Sequence, residues 1–232
     1  MSNPSLSPFP QNLASYSSSQ LRAWLDGHTV RLLRGVEPPR ATLRQLDCGL
    51  IAKDFLDSEP WYRYTLGRWL LGREERIYRR LEGIEGIPGR VARPHSDLLV
   101  MEYLAGACDL KKVPLDQLPW SALEQLRALL EAIHSRGVVH FDIGHDSNGD
   151  YGRETNLLWR EGRLYLIDFA GSLSGVPQPL FKLLVQADNL AILKVLRRFF
   201  PQKEEAPPPG WDFKAYEPRP WERRLLKKLG KL

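Results

Sequence analysis

Cysteines and long apolar runs are scarce in this 232-residue sequence, and each shortage excludes a class of protein. The two cysteines, Cys48 and Cys108, lie far apart and form no CxxC pair, so we expect neither a disulfide framework nor a cysteine-based zinc site. No run reaches the roughly 18 apolar residues of a membrane helix. Because the first basic residue is Arg22, the amino end also lacks the pattern of a signal peptide. We therefore expect a cytoplasmic protein in a reducing compartment.

Charge is unevenly distributed along the chain. The net charge is +5, and residues 219–232 alone hold six basic residues and one acidic residue, which accounts for the whole excess. The rest of the chain is formally neutral, so nucleic acid is not the expected partner. With 43% hydrophobic and 26% charged residues, the composition is that of an ordinary soluble globular protein.

The order of predicted elements indicates an α+β protein. Residues 1–20 are rich in Ser and Pro and uncharged, which predicts a flexible tail. Residues 21–104 contain short apolar strands and one long helix, which predicts a sheet-rich N-lobe. Residues 105–200 contain two strong helices and a hairpin, which predicts a reduced helical C-lobe. Residues 201–232 are predicted to be a Pro-rich linker followed by a basic amphipathic tail.

Three polar residues stand at the ends of predicted elements in the second half of the chain. Asp142 follows a short apolar run, Asn156 opens the predicted hairpin, and Asp168 ends its second strand. Two carboxylates and an amide in such positions suit magnesium-assisted phosphoryl transfer. One aspartate can accept the proton of a hydroxyl nucleophile, while the other aspartate and the asparagine hold the metal.

These residues resemble the motifs of the protein-kinase-like superfamily. His140-Phe141-Asp142 is similar to the HRD motif with Phe in place of Arg, and Asp168-Phe169-Ala170 is similar to DFG. Asn156 resembles the metal-binding asparagine of that superfamily. The resemblance implies that Asp142 is the catalytic base and that Asn156 and Asp168 bind Mg²⁺.

The first half of the chain resembles the same superfamily. Ile51-Ala52-Lys53 is similar to the VAIK strand, and Glu74 resembles the glutamate that pairs with its lysine, with Glu75 as the second choice. Residues 100–106 resemble the hinge segment under the adenine of ATP. The resemblance implies a bilobal protein-kinase-like fold in which Lys53, held by Glu74, binds the phosphates. It also implies that Glu102 and Leu104 take part in binding ATP.

The stretch GREERIYRRLEGIEGIPG is similar to small bacterial RIO-like kinases and to lipopolysaccharide kinases that act on Kdo or heptose. The resemblance implies an acceptor hydroxyl on a lipopolysaccharide-core sugar or on a protein Ser/Thr, with the sugar favoured. It thus predicts a phosphotransferase that depends on ATP and Mg²⁺.

Four departures from the kinase pattern keep a second function open. No GxGxxG precedes Lys53, Ala170 replaces the DFG glycine, and no APE-like segment follows Asp168. Asn156 comes 14 positions after Asp142, where protein kinases have about five, so residues 143–155 form an insertion that could contact the acceptor. The alternative is a catalytically weak or inactive kinase-like module that binds a nucleotide or a partner.

Two further residue patterns allow two interpretations each. Trp221, Leu225, Leu229 and Leu232 form an apolar stripe in a basic segment. Residues 219–232 could therefore lie peripherally on the inner membrane, or they could pack the stripe on the C-lobe. Asp188, on an apolar predicted helix, either braces the catalytic loop or is partly exposed.

Overall fold

The computed structural model describes residues 10, 12–35, 40–143 and 155–229. The chain divides into two compact units. The first contains residues 1–82 and 88–105, and the second contains residues 83–87 and 106–232.

The first unit is built on one antiparallel sheet of five strands in the order β1-β2-β3-β5-β4. Its strands are β1 (Thr29–Arg34), β2 (Thr42–Leu46), β3 (Leu50–Asp54), β4 (Ala92–His95) and β5 (Leu98–Glu102). Its helices are α1 (Ser18–His28), α2 (Pro60–Tyr62) and α3 (Arg68–Arg80), and a π-helical segment, Arg63–Gly67, joins the last two.

Strand β3 is the centre of this sheet and carries Lys53. Leu50 and Ala52 belong to a buried cluster with Leu21 and Leu25 of α1. Because side chains alternate along a strand, Lys53 points to the opposite face of the sheet from Ala52. The strand thus presents a lysine on one face while its other face is fixed by the core.

The amino end departs from the predicted flexible tail. Residues Leu13–Ser15 form a 3₁₀ helix with Leu13 buried, and α1 begins at Ser18. Ser17 and Gln20 form a capping box, in which each side chain accepts a hydrogen bond from the other residue's backbone N–H. Residues 12–20 are therefore ordered by a local helix signal and by burial, whereas residues 1–9 and 11 lie outside the described part.

The π-helical segment changes which side of the long helix is buried. The 3.6-residue period predicts Leu66, Leu70, Ile77 and Leu81 along one buried side. Ile77 and Leu81 are buried as predicted and Leu70 is half-buried, but Leu66 is 42% exposed. Leu71 and Glu74 share the buried side with Ile77. A π turn inserts one residue into the helical repeat, so positions before and after it no longer share the predicted face.

The second unit carries the remaining elements. Its helices are α4 (Ser121–Ser135), α5 (Gln178–Phe199), α6 (Pro201–Glu205) and α7 (Pro220–Lys228). Its strands are β6 (Cys108–Asp109), β7 (Val138–Val139), β8 (Leu157–Arg160), β9 (Arg163–Leu166) and β10 (Leu173–Ser174). They form a three-stranded sheet, β6-β8-β9, and a two-stranded sheet, β10-β7.

Residues 200–216 pack onto the second unit through aromatic side chains. Trp120, which precedes α4, contacts Phe200 and Trp211 with ring centroids 5.2 Å apart in each pair. The guanidinium of Arg127 lies 4.2 Å from the centroid of the Trp211 ring. Edge-to-face aromatic pairs and cation–π contacts of this kind stabilise a segment that has little regular structure of its own.

The side of helix α7 that packs on the second unit is not the side that the sequence predicts. Leu226 is fully buried and Glu222 nearly so, whereas Trp221, Leu225 and Leu229 are exposed. The interpretation in which the apolar stripe packs on the C-lobe is therefore wrong for these three residues, and Leu232 lies outside the described part. Over the described ranges, no helix combines the length and the apolar character needed to cross a membrane.

Candidate active site

Lys53 and Glu74 form a buried ion pair in the first unit. The Lys53 Nζ lies 2.7 Å from Glu74 Oε2 and 2.9 Å from Oε1, and the two residues are only 5% and 1% exposed. Glu75 instead pairs with Arg79 one helical turn later, at 2.7 Å. A buried ion pair contributes little net stability, because desolvating two charges offsets their attraction. The pair therefore fixes the position of the Lys53 ammonium more than it adds to the stability of the fold.

The backbone at the end of β5 is held by hydrogen bonds within the first unit. The N–H of Glu102 donates to Gly89 O, that of Tyr103 to Gly49 O, and that of Ala105 to Tyr103 O. Among the described residues, no backbone hydrogen bond involves the N–H of Leu104. The side chain of Glu102 accepts from the Gly89 N–H at 3.2 Å. The hinge-like segment is thus fixed on both sides of Leu104.

In the second unit, Asp188 holds the loop that carries Asp142. Its carboxylate accepts hydrogen bonds from the backbone N–H groups of His140 and Phe141, at 2.8 and 2.7 Å. The Nε2 of His134 lies 2.9 Å from the same carboxylate. Asp188 is buried, so of its two interpretations the structure supports the brace and not the partly exposed helix residue.

Phe141 adopts a left-handed backbone conformation with φ of 64°. A non-glycine residue is strained there by about 1–2 kcal/mol. The two hydrogen bonds to Asp188 fix the peptide planes on either side of the His140 Cα, and the hydrogen bond from the Asp142 N–H to His140 Nδ1 fixes the peptide after Phe141. The backbone direction at Asp142 is therefore held from both sides of Phe141.

His140 connects the two loops of the site and is neutral. Its Nε2 lies 3.0 Å from Ile167 O, and its Nδ1 accepts from the Asp142 N–H at 3.3 Å. One ring nitrogen must therefore donate while the other accepts, which is the pattern of a neutral imidazole protonated on Nε2. Complete burial lowers the pKa of His140 below its ordinary value of 6.5, although Asp188 and the Ile167 carbonyl act in the opposite direction.

This burial predicts that acid destabilises the protein. In the unfolded chain His140 takes up a proton below about pH 6.5, whereas in the folded protein its pKa is lower, so the unfolded state binds more protons. The contribution of His140 to the free energy of unfolding is therefore complete above about pH 6.5. At lower pH it falls, by up to about 1.4 kcal/mol per pH unit.

Urea denaturation of the wild type and of His140→Gln between about pH 5 and pH 7 measures this contribution. The wild-type curve should fall more steeply toward acid than the variant curve. Parallel curves would mean that His140 does not titrate differently in the two states.

Asn156 and Asp168 emerge at the same end of the β8–β9 hairpin. Leu157 pairs with Leu166 in the register, and the Ile167 N–H donates to Asn156 O at 2.9 Å, so the residues just outside the hairpin remain adjacent. The Asn156 Nδ2 donates to the Asp142 backbone carbonyl at 2.7 Å. The structure therefore brings Asn156 beside the Asp142 loop despite the insertion between them.

Asp168 begins a tight turn next to the same loop. It has a left-handed φ of 60°, and its Oδ1 accepts from the Ala170 N–H at 3.3 Å. A Cβ added to Gly171 would lie 3.5 Å from the Cβ of Asp142. The DFG-like turn thus contacts the Asp142 loop through a residue with no side chain, even though Ala170 stands at the DFG glycine position.

The donor atoms near Asp168 fit a hard cation. Because Asn156 uses its Nδ2 to hold the Asp142 loop, the remaining polar atom of the amide is the oxygen, the donor type that Mg²⁺ prefers. Within the described ranges, no three His, Cys, Asp or Glu side chains group as a metal site. Mg²⁺ is commonly held by one or two carboxylates with substrate phosphates, for which Asp168 and Asn156 suffice.

The sequence did not reveal the side chains that anchor Asn156. Asp109 accepts from both the N–H and the Oγ1 of Thr155 at 2.8 Å, and it also accepts from the Lys111 N–H at 2.9 Å. These bonds fix the residue before Asn156 at the point where the chain re-enters β8. Asp109 lies far from Thr155 in the sequence, so no local pattern marks the pair.

Two predicted features lie outside the described residues. The connection in which a glycine-rich loop would be sought includes residues 36–39, and most of the insertion, residues 144–154, is likewise outside them. An acceptor contact by the insertion stays a prediction.

Comparisons with solved structures identify the fold. The Rio2 kinase–ADP/Mg²⁺–phosphoaspartate complex from Chaetomium thermophilum matches with a TM-score of 0.54 and 16% sequence identity, over 90% of this chain and 66% of that chain. The streptomycin–ATP–APH(2″)-IIa ternary complex matches with a TM-score of 0.42 and 13% identity, over 86% of this chain and 85% of that chain. No protein-family model and no curated protein matches the sequence.

The chain therefore has the fold of the protein-kinase-like superfamily, with a sheet-rich first unit and a reduced helical second unit. This confirms the fold class predicted from the motifs. At 16% identity the likeness shows the fold alone, and the chain spans 66% of the length of the Rio2 kinase chain.

Proposed function

We propose that this protein is a phosphotransferase that moves the γ-phosphate of ATP to an acceptor hydroxyl and depends on Mg²⁺. The observation that carries the proposal is the loop of His140 to Asp142, which Asp188 and His140 hold so that Asp142 lies beside Asn156. A fully hydrogen-bonded buried network of this kind rigidifies the loop and specifies a single conformation for it.

In this proposal Asp142 accepts the proton of the acceptor hydroxyl. It is half-buried, and its backbone is fixed at its N–H by His140 and at its carbonyl by Asn156. Such positioning limits the freedom of the base before the substrate binds. His140 cannot take this role, because both its ring nitrogens are engaged and its pKa is lowered by burial.

The remaining residues act on the nucleotide. Lys53, held by Glu74, would bind the phosphates, and the N–H of Leu104 with the backbone of Glu102 would bind the adenine edge. Asp168 and Asn156 would hold Mg²⁺, which when bound neutralises charge on the phosphates.

We propose a sugar hydroxyl of the lipopolysaccharide core as the acceptor, with a protein Ser/Thr hydroxyl as the second choice. The support is the resemblance of residues 72–89 to lipopolysaccharide kinases. An acceptor of this kind sits at a membrane, which agrees with peripheral contact through residues 219–232.

The test is transfer from labelled ATP, with Mg²⁺ or with a chelator, to core lipopolysaccharide, to generic proteins and to the enzyme itself. We expect transfer only with Mg²⁺, and we expect Asp168→Ala to reduce it by at least about a thousandfold, because the metal loses its carboxylate. ATP binding without transfer to any of these acceptors would instead support the nucleotide-binding module. Wild-type activity in Asp168→Ala would refute the metal role.

A further inference from the structure

Helix α7 exposes an apolar stripe although it is docked on the second unit. Trp221, Leu225 and Leu229 follow one another at intervals of four residues, so they lie along one side of the helix. They are 55%, 37% and 46% exposed. The helix is held by a different side, through the buried Leu226 and Glu222. The stripe is therefore not the packing surface of the helix.

The rest of the exposed surface of α7 is cationic. Arg223, Arg224, Lys227 and Lys228 are all exposed, and within the described residues none of them forms an ion pair. The one acid of the helix, Glu222, faces inward, and its Oε2 accepts from the Arg219 N–H at 2.6 Å. The solvent-exposed side chains of α7 are thus all cationic or apolar.

The cations lie where they can act together with the stripe. Arg224 follows Trp221 by three positions and Lys228 follows Leu225 by three, so both flank the stripe on the side away from the packed Leu226. A flat surface in contact with the stripe would also contact these two cations while α7 stays packed on the second unit.

We infer that α7 is a binding surface for anionic lipid, with Trp221, Leu225 and Leu229 entering the interface and Arg224 and Lys228 contacting the headgroups. Charge selects this occupant, because each exposed basic residue near an anionic membrane is attracted to it. The indole of Trp221 suits such an interface, since its ring is apolar and its N–H can hydrogen-bond to water or to headgroups. Lipid binding needs no nucleotide and therefore does not rest on the proposed phosphotransferase activity.

Vesicle co-sedimentation of the full chain without nucleotide tests the inference. One set of vesicles is phosphatidylcholine alone, and the other contains about one-third phosphatidylglycerol. We expect binding to the anionic vesicles at least about tenfold tighter than to the neutral ones, weakening as salt rises.

Two variants separate the contributions of the stripe and of its flank. Leu225→Ser removes an apolar side chain that would enter the interface, and Arg224→Glu/Lys228→Glu reverses the two flanking charges. Each should weaken anionic binding by about tenfold or more. All three residues are exposed, so circular dichroism and thermal melting should match those of the wild type.

Matched controls lie elsewhere on the second unit. Leu115→Ser changes another exposed leucine, and Lys182→Glu/Lys214→Glu makes the same charge change at exposed positions outside α7. Both should bind anionic vesicles within about twofold of the wild type, as should Asp168→Ala.

Three outcomes would overturn the inference. They are equal wild-type binding to both vesicle types, undiminished binding by the α7 variants, and losses in the controls as large as in those variants. Self-association of the wild type that Leu225→Ser abolishes, without lipid binding, would instead assign the stripe to a second copy of the chain.

Discussion

Replacing Asp142 with asparagine is expected to lower phosphate transfer by about a hundred- to ten-thousandfold, because an amide cannot accept the proton of the acceptor hydroxyl. The substitution preserves the shape of the side chain. The backbone contacts of Asp142 with His140 and Asn156 involve only its N–H and carbonyl, so they should persist. Initial rates of transfer from labelled ATP measure the effect.

ATP binding distinguishes loss of the base from loss of the site. Asp142→Asn should bind ATP and Mg²⁺ with nearly the wild-type affinity, since the proposed nucleotide ligands lie elsewhere. Asp116→Asn is the matched control, because Asp116 is exposed on the same unit and should transfer phosphate like the wild type. Full activity in Asp142→Asn would refute its role as base, whereas loss of ATP binding would mean that the site itself was disturbed.

Asp188→Ala is expected to cause the largest loss of stability, about 3–5 kcal/mol in the free energy of unfolding. The substitution leaves the buried backbone N–H of His140 and the part-buried N–H of Phe141 without their acceptor, and it leaves His134 without its carboxylate. Removing one member of a buried, hydrogen-bonded charged group has this cost. The strained conformation of Phe141 would also lose its restraints.

Chemical denaturation of Asp188→Ala, Asp188→Asn and Asp116→Ala measures the stability. Asn keeps one acceptor oxygen, so Asp188→Asn should fall between the other two, and the exposed Asp116→Ala should stay within about 0.5 kcal/mol of the wild type. A loss below about 1 kcal/mol in Asp188→Ala would contradict the brace.

The sequence predicted that the loops carrying Asp142 and Asn156 come together. Asp142, Asn156 and Asp168 were recognised by motif order, and the structure brings Asn156 to the Asp142 loop although an insertion separates them. The motifs reflect the residue types that the chemistry requires. Their order is therefore recognisable even where the loops between them differ in length. Their catalytic roles stay predictions.

Packing decided the features that the sequence did not predict. Strands β2 and β4 are short and contain Arg44 and Arg93, and their sequences lack the alternation of apolar and polar residues that marks a half-buried strand. Burial nevertheless alternates along β2. The π turn cannot be predicted from the hydrophobic periodicity of the sequence, because it interrupts that periodicity. The brace by Asp188 depends on a long-range contact between α5 and the loop, which no local spacing encodes.

The aromatic packing of residues 200–216 also determines how the chain can be shortened. A chain ended at residue 200 would leave Trp120 without its contact to Trp211, and Arg127 without the Trp211 ring that it covers. Newly bared aromatic surface of this kind promotes aggregation. Residues 201–216 thus cover aromatic surface of the second unit, and the exposed stripe of α7 is best tested by point substitutions that leave this segment in place.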